Sequence, residues 1–154
     1  MTTSGMNFWA ECERVHDDHE SVMADLADLA YALDSLERYG RSFAQLSDTG
    51  DLYRYGVRLC ETIPDHFSRE ETWLQEEVAT ISPELANFAR EMVYQHETLR
   101  GELRDFRSAL EQLRGATEDE LPDIVAGVRE QGWQVARNLA AHVALEEDQL
   151  RGFL

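Results

Sequence analysis

Nine side chains spaced alternately four and three residues apart run without a break through Phe8, Cys12, Val15, His19, Val22, Leu26, Leu29, Leu33 and Leu36. That spacing lays all nine on one stripe of an α-helix about eight turns long. A second stripe of the same length and phase runs through Leu85, Ala89, Met92, His96, Leu99, Leu103, Phe106, Leu110 and Leu113. Each stripe is interrupted by one strongly polar residue. In both it is a histidine, and in both it stands fourth.

Two further helical patterns match each other in the same way. Gly56, Leu59, Ile63, His66, Glu70 and Leu74 are followed 76 residues later by Gly132, Val135, Leu139, His142, Glu146 and Leu150, and the first two stripes are offset by 77. The chain therefore reads as a duplication: a helix with a seam histidine, then a helix with His-x-x-x-Glu, twice over. The repeats span about 6–79 and 83–154, within a single domain covering 1–154. The segments "YGRSFAQLSDTG", "ATISPE" and "GATEDE" between the patterns are rich in turn formers. Ser82 is placed to cap the third helix with Pro83 at its first position, and Thr117 to Glu120 has the spacing of a capping box for the fourth. Pro64 removes a backbone donor inside the second helix and should bend it just before His66. Four helices of about 25 to 30 residues, each about 40 Å long at 1.5 Å rise, pack most naturally as an all-α, antiparallel, up-down-up-down four-helix bundle.

Composition narrows the partners. The 154 residues suit one core without a second domain. Fourteen cationic side chains, all of them arginine, face 31 carboxylates, for a formal charge of −17. Nucleic acid and anionic membrane surfaces both need a basic footprint that this chain does not supply. Such a surface is well solvated, and its field attracts cations such as ferrous iron. Cys12 and Cys60 form no CxxC motif and read as small buried hydrophobes. The opening stretch "MTTSGMNFWAECER" lacks a basic, then apolar, targeting pattern, and no apolar run approaches the ~20 residues of a spanning helix. A reduced, cytoplasmic setting is the expectation.

Four imidazoles and two carboxylates at one depth of a bundle core would be costly to desolvate if they merely faced one another. A metal resolves that conflict. Residues at i and i+4 share a helix face, so His66 with Glu70, and His142 with Glu146, can each present a nitrogen and an oxygen to one centre, while His19 and His96 add nitrogens from the partner helices. Four histidines and two glutamates suit two octahedral first-row ions bridged by carboxylate. A closed zinc site takes four ligands, usually with thiolates among them. His16 has no counterpart in the second repeat and falls at the rim or surface, so its role stays open. Glu71 and Glu147 directly follow the proposed ligands and read as outer acceptors, although Glu147, at i+5 from His142, is the alternative to Glu146 as ligand.

With these residues in place, the sequence resembles the hemerythrin-like (HHE cation-binding) domains. The pattern H…HxxxE…H…HxxxE is met by His19, His66, Glu70, His96, His142 and Glu146, and the resemblance runs over nearly the whole chain. It implies a four-helix bundle around a non-haem centre of two iron ions, bridged by Glu70, Glu146 and an oxo or hydroxo group. Oxygen-carrying hemerythrins have a further histidine one turn after the third-helix ligand, where this chain has Arg100, and place their last carboxylate at i+5, where it has Glu147. One histidine fewer makes for a more open site, less suited to simple reversible oxygen storage and similar to those of iron sensing, peroxide handling and iron-sulfur-cluster repair.

The expected function is accordingly a di-iron protein that binds or senses O2, NO or peroxide, acting as monomer or homodimer. The alternatives are iron storage or donation, iron-sulfur-cluster repair, or a di-iron peroxidase or catalase-like oxidoreductase, for which no separate proton-donor motif stands out. A metal-free scaffold would leave the six core residues without a purpose.

Overall fold

The computed structural model describes residues 2–39 and 48–152. Four long helices make up the fold: α1 (Thr2–Tyr39), α2 (Asp48–Glu76), α3 (Pro83–Arg114) and α4 (Leu121–Arg151), with one turn of 3-10 helix, Val78–Thr80, between α2 and α3. No strand occurs among the described residues. The first expected connection, within 39–50, falls for residues 40–47 outside the described residues.

Each helix packs against the next, and α1 closes the ring against α4. All four interfaces are antiparallel. On α1 and α2, Asp18 meets His66 while Asp25 meets Arg58. On α2 and α3, Tyr53 meets Glu111, Arg107 meets Glu61 and His96 meets Glu71. On α3 and α4, His142 meets Gln95 and Asn138 meets Glu102. The last pair is fixed by His19 beside Glu147 and by Leu33 against Gly132. In every case one partner's number rises as the other's falls, as an up-down-up-down bundle requires.

The stripes lie where their periodicity predicts. From Cys12 on, every member of the α1 seam, all nine of the α3 seam, and the matched positions of α2 and α4 are buried. One apolar cluster fills the longer part of the bundle, with Leu33, Leu59, Phe106 and Val135 among its members. A second, smaller one at the other end includes Cys12, Leu74, Met92 and Leu150. Fully burying one such aliphatic side chain is worth about 2 kcal/mol, so this packing, rather than helix propensity, holds the rods together. The glycines Gly56 and Gly132 let helices approach closely. A Cβ on Gly132 would lie 2.8 Å from Leu33 and 3.1 Å from Phe106, and one on Gly56 would run into Leu110.

The helix ends divide. Ser82 caps α3, its hydroxyl accepting from the Leu85 backbone at 3.2 Å, with Pro83 in the first turn as expected. The capping box at Thr117 does not form. Its hydroxyl donates instead to the Glu120 carboxylate at 2.8 Å, its carbonyl accepts from the backbone of Glu120 and Leu121, and α4 starts after Glu120 without a side-chain cap. The carboxylate that would have reached back to the backbone is engaged by the hydroxyl. α2 runs through Pro64 without a break. No helix among the described residues is long and apolar enough to cross a membrane.

Candidate metal centre

Between the two apolar clusters lies a polar layer. His19 comes from α1, His66 and Glu70 from α2, His96 from α3, and His142 and Glu146 from α4, and all six are buried. The i to i+4 spacing puts each glutamate one turn from its histidine on the same inward face. The seam histidines of α1 and α3 close the layer from the neighbouring rods.

All four imidazoles turn Nε2 inward, and the six side chains sort into two halves. In the first, Glu70 Oε2 lies 2.8 Å from His66 Nε2 and 3.5 Å from His19 Nε2, and Glu146 Oε1 lies 2.9 Å from His19 Nε2. In the second, Glu70 Oε1 lies 3.1 Å from His96 Nε2 and Glu146 Oε2 lies 3.6 Å from His142 Nε2. Each carboxylate thus gives one oxygen to each half. The groups able to hold a cation follow this division in part: Glu70, His96, His142 and Glu146 form one set of four, and His19, His66 and Glu70 a set of three that lacks Glu146.

Although these atoms are close, they are poorly satisfied. His19 Nε2 and all four carboxylate oxygens of Glu70 and Glu146 are buried without a hydrogen-bond partner, a condition that costs about 1–3 kcal/mol per group. His96 Nε2 and His142 Nε2 stand 3.1 Å apart, and in neutral rings whose protons sit on Nδ1 this sets lone pair against lone pair. A cation in each half removes both conflicts.

The outer nitrogens explain why the inner ones are free. His19 Nδ1 donates to Glu147 Oε1 at 2.7 Å, and His96 Nδ1 to Glu71 Oε1 at 3.0 Å. His66 Nδ1 donates to Asp18 Oδ2 at 3.2 Å, and His142 Nδ1 to Gln95 Oε1 at 2.8 Å. Acceptors on the far nitrogen fix the tautomer and ring angle that ligation needs. Glu71 and Glu147 occupy the outer positions expected of them. Glu147 therefore faces away from the converging Nε2 atoms, and Glu146 faces into them. Asp18 and Gln95 were not foreseen. Their signal was that each directly precedes a seam histidine. His16 is at the exposed rim, as expected, yet its Nδ1 donates to the same Glu147 at 3.0 Å. Arg100 donates to Glu71 at 2.7 and 3.1 Å and lies over the Phe67 ring, which stacks on His96 with centroids 4.0 Å apart.

Charge in the layer is strongly unbalanced. Burial alone would lower the pKa of His19, but the carboxylates of Glu146 and Glu70 beside it prevail and push it up to about 10. Burial, reinforced by His96, pushes His142 down to about 3. Glu70 resists the upward pull of burial, because Glu146 and the histidines around it hold it well below the usual carboxylate range. Burial and the adjacent Glu70 drive Glu146 well above that range. Two carboxylates so close in a dry layer do not both ionise readily, and a divalent cation supplies the charge that lets them. Cys12 and Cys60 take no part. Both are free and buried, and burial pushes each thiol up to about 11.

Fold and centre together define an all-α bundle whose core carries a His/Glu layer suited to metal ions. The model of the hemerythrin HHE cation-binding domain matches residues 11–154, and the chain belongs to that family. Comparison with curated proteins and with solved structures gives no match.

Proposed function

We propose that the protein is a non-haem di-iron protein that binds or senses O2, NO or peroxide, with His19, His66, Glu70, His96, His142 and Glu146 as the metal ligands. The observation that carries this is the division of the layer into two halves, each with two inward Nε2 atoms and one oxygen from each carboxylate. One ion would not need six donors arranged in two sets. The all-nitrogen-and-oxygen donor set fits first-row ions of octahedral preference better than structural zinc. Bound iron would supply reversible electron transfer and affinity for small oxygen and nitrogen ligands. Four converging donors in one half and three in the other leave octahedral ions with positions that the chain does not fill.

The chain's own residues prepare that chemistry. Glu147, Asp18, Glu71 and Gln95 hold the imidazoles in the ligating tautomer, and Phe67 fixes the plane of His96. The apolar clusters above and below keep bulk water from the layer. Deep burial of all six ligands favours a retained cofactor over iron storage or donation, since release would require the helices to part. One domain built from repeats 6–79 and 83–154 belongs to the same proposal, supported by the matching acceptor pairs. A reducing, cytoplasmic setting is supported by the two free, buried thiols.

The test is anaerobic ferrous loading followed by exposure to O2, NO and peroxide in turn, read by ultraviolet-visible absorption. New charge-transfer bands with at least one of the three, without sustained consumption of it, are expected. Spectra indifferent to all three would contradict ligand binding, and steady peroxide turnover would identify an oxidoreductase instead.

A further inference from the structure

The two halves differ in their inward atoms, Glu70, His96, His142 and Glu146 converging as a set of four and His19, His66 and Glu70 as a set of three, and they differ more sharply in what stands behind them. We propose that they hold metal with unequal affinity: the His19/His66 half binds tightly and fills first, and the His96/His142 half binds weakly and fills second. This rests on the metal-centre reading above and concerns residues outside the ligand set.

The asymmetry lies in the acceptors. In the first half both acceptors are carboxylates, Asp18 behind His66 and Glu147 behind His19. In the second half the position equivalent to Asp18, 77 residues on, is Gln95, whose neutral amide oxygen takes the His142 proton. The position equivalent to Glu147 is Glu71, but the oxygen that accepts from His96 also accepts from Arg100 Nη1 at 2.7 Å, and its other oxygen accepts from Nη2 at 3.1 Å. The residue matching Arg100 in the first repeat is the exposed Met23.

Cations near the first half are more weakly engaged. Arg14 and Arg69 stand 3.9 and 3.7 Å from Asp18, beyond hydrogen bonding. His16 Nδ1 reaches both Glu147 oxygens, at 3.0 Å on the one that accepts from His19 and at 3.2 Å on the other, but this single imidazole is exposed to screening by water and salt, lies 3.4 Å from Glu20 as well, and has neither the permanent charge nor the two-pronged grip of Arg100 on Glu71.

The physical link is ligand basicity. A carboxylate on Nδ1–H draws the proton outward and leaves more electron density on Nε2, so the imidazole becomes a stronger donor to a cation. An amide oxygen does this less. A carboxylate already bonded to a guanidinium also does it less, because its charge is compensated at the same oxygen. Outer acceptors of this kind are worth about 10–100-fold in metal affinity, enough to order the two positions.

Calorimetric titration of the metal-free full chain with Co2+ alone reads the two affinities, and proton NMR of the Nδ1–H signals locates the first ion. The wild type should show two steps at least about tenfold apart, with the first equivalent shifting the signals of His19 and His66. Gln95→Glu should tighten the weak step about tenfold, and Asp18→Asn should loosen the tight step by a similar factor. Circular dichroism of each metal-free variant checks folding, and the near-isosteric Gln95→Glu decides the matter should Asp18→Asn fold poorly. Two ions of equal affinity, a first equivalent that shifts His96 and His142, or steps unmoved by Gln95→Glu would overturn the inference while leaving the centre standing. No Co2+ binding at all would remove the proposed centre itself.

Discussion

The apolar layer around Phe106 and the polar layer around Glu70 and Glu146 are built on the same four helices, yet they are specified by different physics. Around Phe106 the match is one of volume: Gly56 and Gly132 give way to Leu110, Leu33 and the phenyl ring, and burial alone rewards the fit. Around the glutamates the match is one of charge and direction, and five buried atoms on His19, Glu70 and Glu146 lack a hydrogen-bond partner. The first layer is complete as the chain folds. The second would become favourable with the cations proposed for it. The apolar parts thus supply the stability that lets the polar part be held in an arrangement it would not choose alone.

That contrast can be broken most severely from the apolar side. Gly56→Val pushes a branched side chain into Leu110 and Phe106, and overpacking of this kind should cost about 3 kcal/mol in a urea unfolding series. Because the proposed ligands lie further along the helices, the metal content of the fraction that stays folded should be unchanged. Chelation acts on the polar layer only. Removing metal present at a hundred times its dissociation constant should lower stability by about 2.7 kcal/mol, with helicity retained in circular dichroism because both apolar clusters persist. A melting temperature indifferent to chelator would mean that the six residues do not bind metal in the folded core.

A smaller effect sharpens the comparison. Glu146→Leu replaces a buried carboxylate crowded by Glu70 with an apolar group of similar size. In the metal-free protein, relief of the crowding by Glu70 is set against the loss of a His19 partner at 2.9 Å, so the melting temperature should change little, and metal should no longer stabilise the variant in parallel melts with and without Co2+. The smallest effect is expected at the rim. His16→Ala removes one partner of Glu147 and leaves its bond to His19 in place, so iron content by elemental analysis should stay close to wild type, whereas His19→Ala should lower it.

Much of this was legible in the sequence because helical period is a strong signal when it runs unbroken. The two nine-residue stripes gave the core faces of α1 and α3, and the doubled His-x-x-x-Glu gave the inward faces of α2 and α4. The choice between Glu146 and Glu147 was harder. One residue rotates a helical side chain by about 100°, and only the packing of α4 against α1 decides which carboxylate meets Nε2 and which meets Nδ1. Asp18 and Gln95 were hidden for the same reason, since accepting from a histidine on a neighbouring rod depends on interhelical rotation that no single-helix pattern carries. Thr117 shows the opposite failure. Its spacing to Glu120 is local and correct, but the hydroxyl chose the carboxylate over the backbone, and such a choice between near-equal hydrogen bonds has no signature in spacing.

The central claim is that the polar layer holds two metal ions in two defined halves. Anomalous scattering at the iron edge from crystals of the anaerobically iron-loaded protein tests it most directly. The account predicts two peaks within the bundle, one flanked by His19 and His66 and the other by His96 and His142, with Glu70 and Glu146 adjoining both. A single peak, or iron bound only at the acidic surface, would contradict it.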